Sequence, residues 1–309
     1  MLEVIEAGLL TTVQDGGRPQ AVQLGVPVGG ACDQWGLAVA NAVLSNRRAA
    51  AALELTLLGP SLRAQVDCVV GIGGAEMGAR VDETGLAVRA GTGVVLRAGQ
   101  TLRFGAVEGA GARVYLALTG GVDVPDVLGS RSTCLAGGFG GLDGRPLRVG
   151  DVIGGQAPEL VAPRPWPGPA ALLGRELRVL RGPHLDRLPP QTFEALVGGE
   201  WQVGGRGDRQ GIVLDGPPLD ATIAPPLLSE GVVWGAVQLP PGGQPIVLLA
   251  DHQTVGGYPV AAVVISADRP LLGQLGPGDE VRLVEVDAGA ARAALIARED
   301  ALASALAGR

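Results

Sequence analysis

Short apolar runs, each closed by a glycine or proline turn, set the limits on how this chain can fold. Leu53-Glu54-Leu55-Thr56-Leu57, Cys68-Val69-Val70-Gly71-Ile72, Ala87-Val88-Arg89, Val94-Val95-Leu96-Arg97, Thr101-Leu102-Arg103-Phe104 and Val114-Tyr115-Leu116-Ala117-Leu118 have strand length and aliphatic content. The second half repeats the habit at Leu177–Leu180, Gly211–Leu214, Val232–Leu239, Pro245–Ala250, Ala261–Ser266 and Glu280–Val286. Regular short strands between tight turns predict a mainly β chain built of sandwiches or barrels, not a parallel sheet flanked by helices. The 51 glycines and 23 prolines of the 309 residues would signal disorder in a polar chain, but 47% of residues here are hydrophobic, enough for a packed core.

Length predicts two domains of ordinary size. Proline gathers between 157 and 171, within Pro158-Glu159-Leu160-Val161-Ala162-Pro163-Arg164-Pro165-Trp166-Pro167-Gly168-Pro169-Ala170, and so dense a stretch favours an extended connector. The domains are therefore expected at 1–160 and at 161–309, the latter carrying a terminal helix. A faint repeat relates the halves: Leu57-Leu58-Gly59-Pro60-Ser61-Leu62 echoes Leu214-Asp215-Gly216-Pro217-Pro218-Leu219, and Ala98–Arg103 echoes Pro277–Arg282. Few helices are expected. One begins at Asp33 as N-cap, with Leu37, Ala40 and Leu44 on one face to Asn46, and Gly36 weakens it. A second covers about Pro190 to Val197. The last, Ala288 to Ala307, carries Leu295, Leu302 and Leu306 and reads as a packing or oligomer helix.

All 24 basic residues are arginine. A lysine-free chain cannot carry a Walker-type phosphate loop, form a Schiff base or bear biotin itself, so an anion site must use guanidinium groups or backbone amides. With 31 acidic residues and a pI near 5.0, no basic footprint for nucleic acid exists. No apolar run approaches the ~20 residues of a membrane span, and Met1-Leu2-Glu3-Val4 lacks the basic start of a signal peptide; a cytoplasmic protein is expected, with neither membrane nor nucleic-acid partners. Cys32, Cys68 and Cys134 have no pairing or zinc spacing and read as small buried hydrophobes. Two histidines, His184 and His252, leave no basis for a metal site.

Three polar constellations interrupt the strands. The first is Thr11-Thr12-Val13-Gln14-Asp15-Gly16-Gly17-Arg18 with Gly25–Asp33, where glycines let backbone approach a small ligand and Arg18 grips its carboxylate. The competing reading is an Asp-capped turn with Arg18 on the surface. The second is Thr119–Pro125 leading into Gly129-Ser130-Arg131-Ser132-Thr133, two hydroxyls flanking an arginine in the manner of an oxyanion nest, or an ordinary turn. The third joins Gly207-Asp208-Arg209-Gln210-Gly211, Ser229-Glu230-Gly231, Gly235–Pro240 and Leu249–Pro259, polar residues where strands end. Gly71-Ile72-Gly73-Gly74-Ala75-Glu76 has the glycine density of a dinucleotide loop but lacks the third glycine and the following helix. A triad of Ser229, Asp251 and His252 fails for want of a nucleophile elbow.

Taken in order, TTVQDGGR, GVPVGGACD, Ala40-Asn41, LELTLLGP, ALTGGVDVP with LGSRST, SEGVVWGAVQLPPGGQPIVLLAD, QTVGGYP and LGPGD resemble the biotin-dependent carboxyltransferase family, from about residue 8 to 285. That family holds the C-type component of bacterial 5-oxoprolinase, the second subunit of allophanate hydrolase type proteins and the carboxyltransferase part of urea carboxylase. The resemblance implies two tandem cyclophilin-like β-barrel domains and a separate partner, the inhibitor-like B-type component related to Kip-type kinase inhibitors. It also implies that 5-oxo-L-proline is cleaved to L-glutamate with ATP bound by the complex once the hydrolase, or A-type, component is present, this chain being inactive alone. Biotin enters only through the family name. Where the family tends to read Ser-Asp-Arg-Met-Gly this chain has Gly207-Asp208-Arg209-Gln210-Gly211, and His252 replaces a common arginine.

A reaction on an activated lactam is anionic throughout, so Arg18, Arg131 and Arg209 are the expected charge stabilisers. Asp15, Asp33, Asp208, Glu230 and Asp251 are expected bases or orienters, and Gln238, Gln253 and Tyr258 neutral hydrogen-bonders. Asp15, Arg18, Arg131, Asp208, Arg209 and Glu230 form the expected catalytic set. Gly29, Gly30, Asp33, Ser130, Ser132, Gln238, Asp251, Gln253, Thr254, Gly257 and Tyr258 form the expected substrate-binding set. Two rival functions are a component of a urea or allophanate carboxyltransferase, and a non-catalytic regulator that binds a kinase-inhibitor-like partner.

Overall fold

The computed structural model describes residues 1–309 except 158, 224–225 and 308–309. The chain is mainly β, as expected. In the first half, six strands pair in the order Val152–Ile153, Leu2–Glu6, Ser61–Ala64, Thr101–Arg103, Arg80–Val81, Leu86–Ala87, and five in the order Leu10–Gln14, Ala52–Thr56, Arg113–Leu118, Cys68–Gly74, Gly93–Leu96. Leu2, Val4, Leu53, Leu55, Leu62, Ile72, Leu102, Val114 and Leu116 meet in one core between them. Strand alternation turns Glu54 and Tyr115, directly opposed in register, to the outer face of the five-stranded sheet.

On that face lies the helix Gln34–Val43. Asp33 caps it, its Oδ1 accepting from the backbone N–H of Trp35 and Gly36, both at 2.9 Å. Gly36, a poor helix former, is needed for contact: a Cβ there would sit 2.9 Å from Tyr115 Cδ2 and 3.0 Å from Gly74 Cα, so only glycine lets helix and sheet approach this closely.

The second half is a closed seven-stranded barrel in the order Glu176–Arg181, Val260–Val264, Ala236–Gln238, Ile246–Leu248, Gly211–Asp215, Trp201–Gly207, Glu280–Glu285, with its own core including Leu177, Phe193, Trp201, Val237 and Leu283. It closes through a parallel pairing, Glu176–Arg181 with Glu280–Glu285. The helices Thr192–Gly198 and Ala288–Ala307 fall where the sequence places them. The run Val232–Leu239 shortens to the strand Ala236–Gln238, because Gly235 turns at φ 89° and its N–H bonds Leu248. Leu10–Gln14 and Trp201–Gly207 are strands that the polar and glycine content of their sequences concealed.

The terminal helix packs within the chain. Leu302 is buried in a cluster with Trp35, Leu37 and Trp166, Glu299 pairs with Arg48 at 2.5 Å, and Arg298 donates to the carbonyl of Ser266 at 2.7 Å, so the helix clasps first-half and second-half residues together. Cys32 and Cys134 are buried, as expected, while Cys68 is only half-buried.

Candidate functional site

Tertiary folding merges the first two constellations. Asp15, at the end of strand Leu10–Gln14, accepts on Oδ1 from Ser130 Oγ (2.6 Å), Ser132 Oγ (2.5 Å) and the Gly17 N–H (2.8 Å), and on Oδ2 from the Arg131 N–H (2.7 Å). The Asp-capped turn is therefore real. The oxyanion nest expected at Ser130 and Ser132 is not: their hydroxyls are already committed to the Asp15 carboxylate. Arg131 projects away from this knot, its Nε donating to the carbonyl of Val124 at 2.9 Å, and borders a cavity of about 400–500 Å³. Arg47, Arg48, Asp15 and Asp126 share that border, and Asp126 caps the Gly129 N–H at 2.9 Å.

Arg18 is neither on the surface nor gripping an acid. It is fully buried, with Nη2 on the carbonyl of Ser132 at 2.5 Å, the guanidinium carbon 5.1 Å from the Phe139 ring centre, and Nη1 without a partner. A Cβ on Gly29 would lie 3.4 Å from Arg18 Nη1 and 3.6 Å from Asp251 Oδ1, so the glycine turn at 29–30 is where the first half meets the second. Gly29 reaches across with its N–H to the carbonyl of Ala250 at 3.0 Å.

From there a buried charge cluster continues. Arg209, at the tip between strands Trp201–Gly207 and Gly211–Asp215, holds Asp251 through Nε (2.9 Å) and Nη2 (3.0 Å), donates to the carbonyl of Gly30 (2.6 Å) and to Cys32 Sγ (3.3 Å), and pairs with Glu54. Glu54 also accepts from Tyr115 Oη (2.7 Å) and the Cys32 N–H (2.9 Å), with Arg113 Nε at 3.7 Å. Gln274 donates to Asp33 Oδ2 at 2.6 Å and accepts from the N–H groups of Ala112 and Arg113. Burial works against the Glu54 carboxylate, but Arg209 and Arg113 prevail and hold its pKa below the usual range. For Asp33 burial wins over its hydrogen bonds and the pKa rises to about 6. Burial likewise pushes the Cys32 thiol up to about 11, which makes it inert at neutral pH.

Of the expected residues, Gly29, Gly30, Asp33, Arg209 and Asp251 thus meet in a polar seam between the halves, with buried Arg18 close to Gly29, while Asp15, Ser130, Arg131 and Ser132 form a knot within the first half. The others stand elsewhere. Glu230 lies exposed in the two-stranded sheet of Glu230–Gly231 with Val255–Gly256, bonded to His184 Nε2 at 2.9 Å. Gln238 and Gln253 bond each other at 3.1 Å, the Thr254 carbonyl takes the Val232 N–H, and Gly257 and exposed Tyr258 follow the second of these strands. Asp208 is exposed and caps the Gln210 N–H at 2.7 Å. Sequence reasoning missed Glu54, Arg113, Tyr115, Gln274 and Arg47. The available signal was a carboxylate and a phenol set inside the apolar runs Leu53–Leu57 and Val114–Leu118, since such a group is buried only with partners.

Among the described residues no His, Cys, Asp or Glu cluster is arranged to hold a metal ion, and no helix is long and apolar enough to cross a membrane. Against known proteins, the family model of the carboxyltransferase domain, subdomain A and B, matches residues 24–285. The C component of 5-oxoprolinase from Escherichia coli strain K12 is 39% identical over 303 residues, which is 97% of this chain and 95% of that protein. The crystal structure of TTHA0988 superposes with a TM-score of 0.83 at 38% identity, over 92% of this chain but 55% of that one. The structure of the K. lactis urea amidolyase gives 0.88 at 30% identity, over 98% of this chain and 20% of that one.

Proposed function

The chain belongs to the carboxyltransferase domain family, and on that ground we propose that it is the C-type component of an ATP-dependent 5-oxoprolinase complex that cleaves 5-oxo-L-proline to L-glutamate. The observation that carries this reading is the end-to-end correspondence with a free-standing 5-oxoprolinase component, 97% of one chain against 95% of the other. The site chemistry agrees with it. Arg131 and Arg47 border the larger cavity without an acidic partner among the described residues, and Arg18 keeps an unused buried N–H near Gly29. Guanidinium groups in that setting favour a carboxylate-bearing substrate and the charge that develops on its amide oxygen.

The carboxylates are differently occupied. Asp15 spends three acceptor contacts on ordering residues 130–132 and a fourth on the Gly17 N–H, and Asp126 caps its own turn. Arg131 is then the charge stabiliser, Asp15 its positioning residue, and the Arg209–Glu54–Asp251 cluster the strut that sets the two halves against each other. A base and the nucleotide site belong to the partners: the A-type hydrolase and the inhibitor-like B-type component complete the site, and the chain alone is inactive. ATP has no lysine-bearing loop to bind here, and biotin has no lysine to be joined to, so either group would be carried by another chain.

The test is to purify the chain alone and with the two partners, supply 5-oxoproline and ATP, and measure glutamate and ADP. Glutamate from the complex only is the expected result. Glutamate from the single chain would refute the dependence on partners. An active-site-complete assembly that makes no glutamate would move weight to carboxyl transfer to urea, the second reading, which the 0.88 superposition on urea amidolyase favours.

A further inference from the structure

The cavity beside Arg131 is bordered by three cations, Arg47, Arg48 and Arg131, and by two acids, Asp15 and Asp126. Both acids are committed to backbone N–H groups, and Asp15 also to two hydroxyls. Their charges remain, because none of those partners is a cation. Arg47 and Arg131 have no acidic partner among the described residues. Arg48 is drawn off: Glu299 of the terminal helix Ala288–Ala307 accepts from its Nη1 at 2.5 Å and its Nη2 at 3.2 Å. Glu299 thus subtracts one of three guanidinium groups from the cavity.

That contact can be exchanged at little cost. Neither side chain is fixed by burial, Arg48 being 46% and Glu299 36% exposed, and an ion pair so exposed is weak. Glu299 also accepts from Arg298 Nη2 at 2.8 Å, and Arg298 is anchored by its Nη1 on the Ser266 carbonyl. If Arg48 turned to a carboxylate in the cavity, Glu299 would keep Arg298 and no charge would be left unpaired. Hydrogen bonds from the two arginines, that of Arg48 foremost, hold the Glu299 carboxyl below the usual range, so it competes as an anion at neutral pH.

Size does not select at this cavity. About 460 Å³ is room for a drug-sized ligand, so a five-membered lactam and its ring-opened form both fit. Charge does select. Hydrolysis of the lactam adds water across the amide and yields a second carboxylate, with an ammonium at the released nitrogen. Arg47 and Arg131 can serve one carboxylate between them. A second shares the cavity with Asp15 and Asp126 while the remaining cation is held by Glu299. We propose that Glu299 is a specificity-determining residue: by withholding Arg48 it makes the cavity prefer the one-carboxylate lactam to small dicarboxylates, the ring-opened product among them. The inference rests on the reading of this cavity as the substrate site, and Glu299 acts in it through Arg48, as a positioning residue.

The experiment is a ligand-observed NMR titration of the full chain with 5-oxoproline and with glutarate, which carries the two carboxylates of the ring-opened form without its ammonium. Wild type, Glu299→Gln, Glu299→Asp and Glu299→Gln combined with Arg48→Gln are compared, with circular dichroism as the check on folding. Wild type is expected to bind 5-oxoproline more tightly than glutarate. Glu299→Gln should tighten glutarate about fivefold, the size of one partly exposed ion pair, and move 5-oxoproline by less than about twofold. Glu299→Asp, which keeps the acid, should stay closer to wild type, and adding Arg48→Gln should abolish the gain. A merely structural role would shift both ligands alike and would not be reversed at Arg48. Unchanged selectivity in Glu299→Gln, a gain that survives Arg48→Gln, or a wild type that prefers glutarate overturns the proposal while 5-oxoproline binding leaves the cavity's assignment standing. Failure of the wild type to bind either ligand overturns both.

Discussion

Replacing Arg209 by methionine removes one guanidinium from a cluster that it alone ties together, and the cost follows from the geometry. Arg209 is 2% exposed and bonds Glu54, Asp251, the Gly30 carbonyl and Cys32 Sγ. In its absence Glu54 retains Arg113 at 3.7 Å, but Asp251 has no other ion-pair partner among the described residues. A buried unpaired carboxylate is destabilising by ~3–5 kcal/mol. In the wild type the depressed pKa of Glu54 contributes stability that is complete above 4.5 and is lost as pH falls through the lower folded value. Urea unfolding followed by fluorescence of the four tryptophans, at pH 7 and at lower pH, measures the cost of the substitution and the Glu54 contribution. Arg209→Lys should restore little, since one ammonium cannot reach both carboxylates and the Gly30 carbonyl. A cost under ~1 kcal/mol at pH 7 would refute this account of the cluster.

Further perturbations separate the other elements. Arg131→Ala should lower glutamate formation by the assembled complex ~10²-fold with an unchanged fold; near-normal turnover would reassign Arg131 to structure. Asp33, with its pKa raised from 3.8 to about 6, favours folding in the protonated form, so its contribution is complete below about 3.8 and ~3 kcal/mol is lost as pH climbs to about 6. The difference in stability between wild type and Asp33→Asn, measured by urea unfolding, should therefore change across that window, and a constant difference would count against it. Gly36→Ala, although a better helix former, should destabilise by ~1–3 kcal/mol because its Cβ meets Tyr115 and Gly74; a gain in melting temperature would contradict the close packing. Leu302→Asp should cost ~2–5 kcal/mol and release the terminal helix, seen as faster proteolysis after residue 286, whereas Arg48→Ala, which breaks only a surface pair, should cost under ~1 kcal/mol.

Most of the secondary structure was legible along the chain, because a strand or a helix is chosen by residues within a few positions of one another. Apart from Val232–Leu239, which shortened by four residues at its start, the apolar runs became strands within one or two residues, Asp33 became the cap it was read as, and the helix Ala288–Ala307 has the limits its composition suggested. The same locality misled at Leu10–Gln14, whose threonines and glutamine looked like loop chemistry until pairing with Ala52–Thr56 made them a strand. Lack of lysine, an acidic balance and the ordered motifs were likewise complete in one dimension, and they bounded the chemistry to arginine and backbone.

The site required three dimensions. Asp15 meets residues 130–132 across more than a hundred positions, and Arg209 meets Glu54 and Cys32 across more than a hundred and fifty. No local rule couples such distant groups; antiparallel pairing of distant strands and the docking of the second half on the first do. Folding also reversed meanings. Within the first half the hydroxyls of Ser130 and Ser132, which in sequence look free to hold an oxyanion, are consumed by the Asp15 carboxylate. Glu54, which in sequence looks like an exposed alternation in a strand, is buried because Arg209 arrives from the other half to neutralise it. The inventory of charges this protein has to work with is written in its residues one by one, since composition is a property of residues taken singly. Which of those charges cancel, and which are left over for a ligand, depends on distances of a few ångströms between residues the chain keeps far apart, and so is settled only when the two halves close on each other.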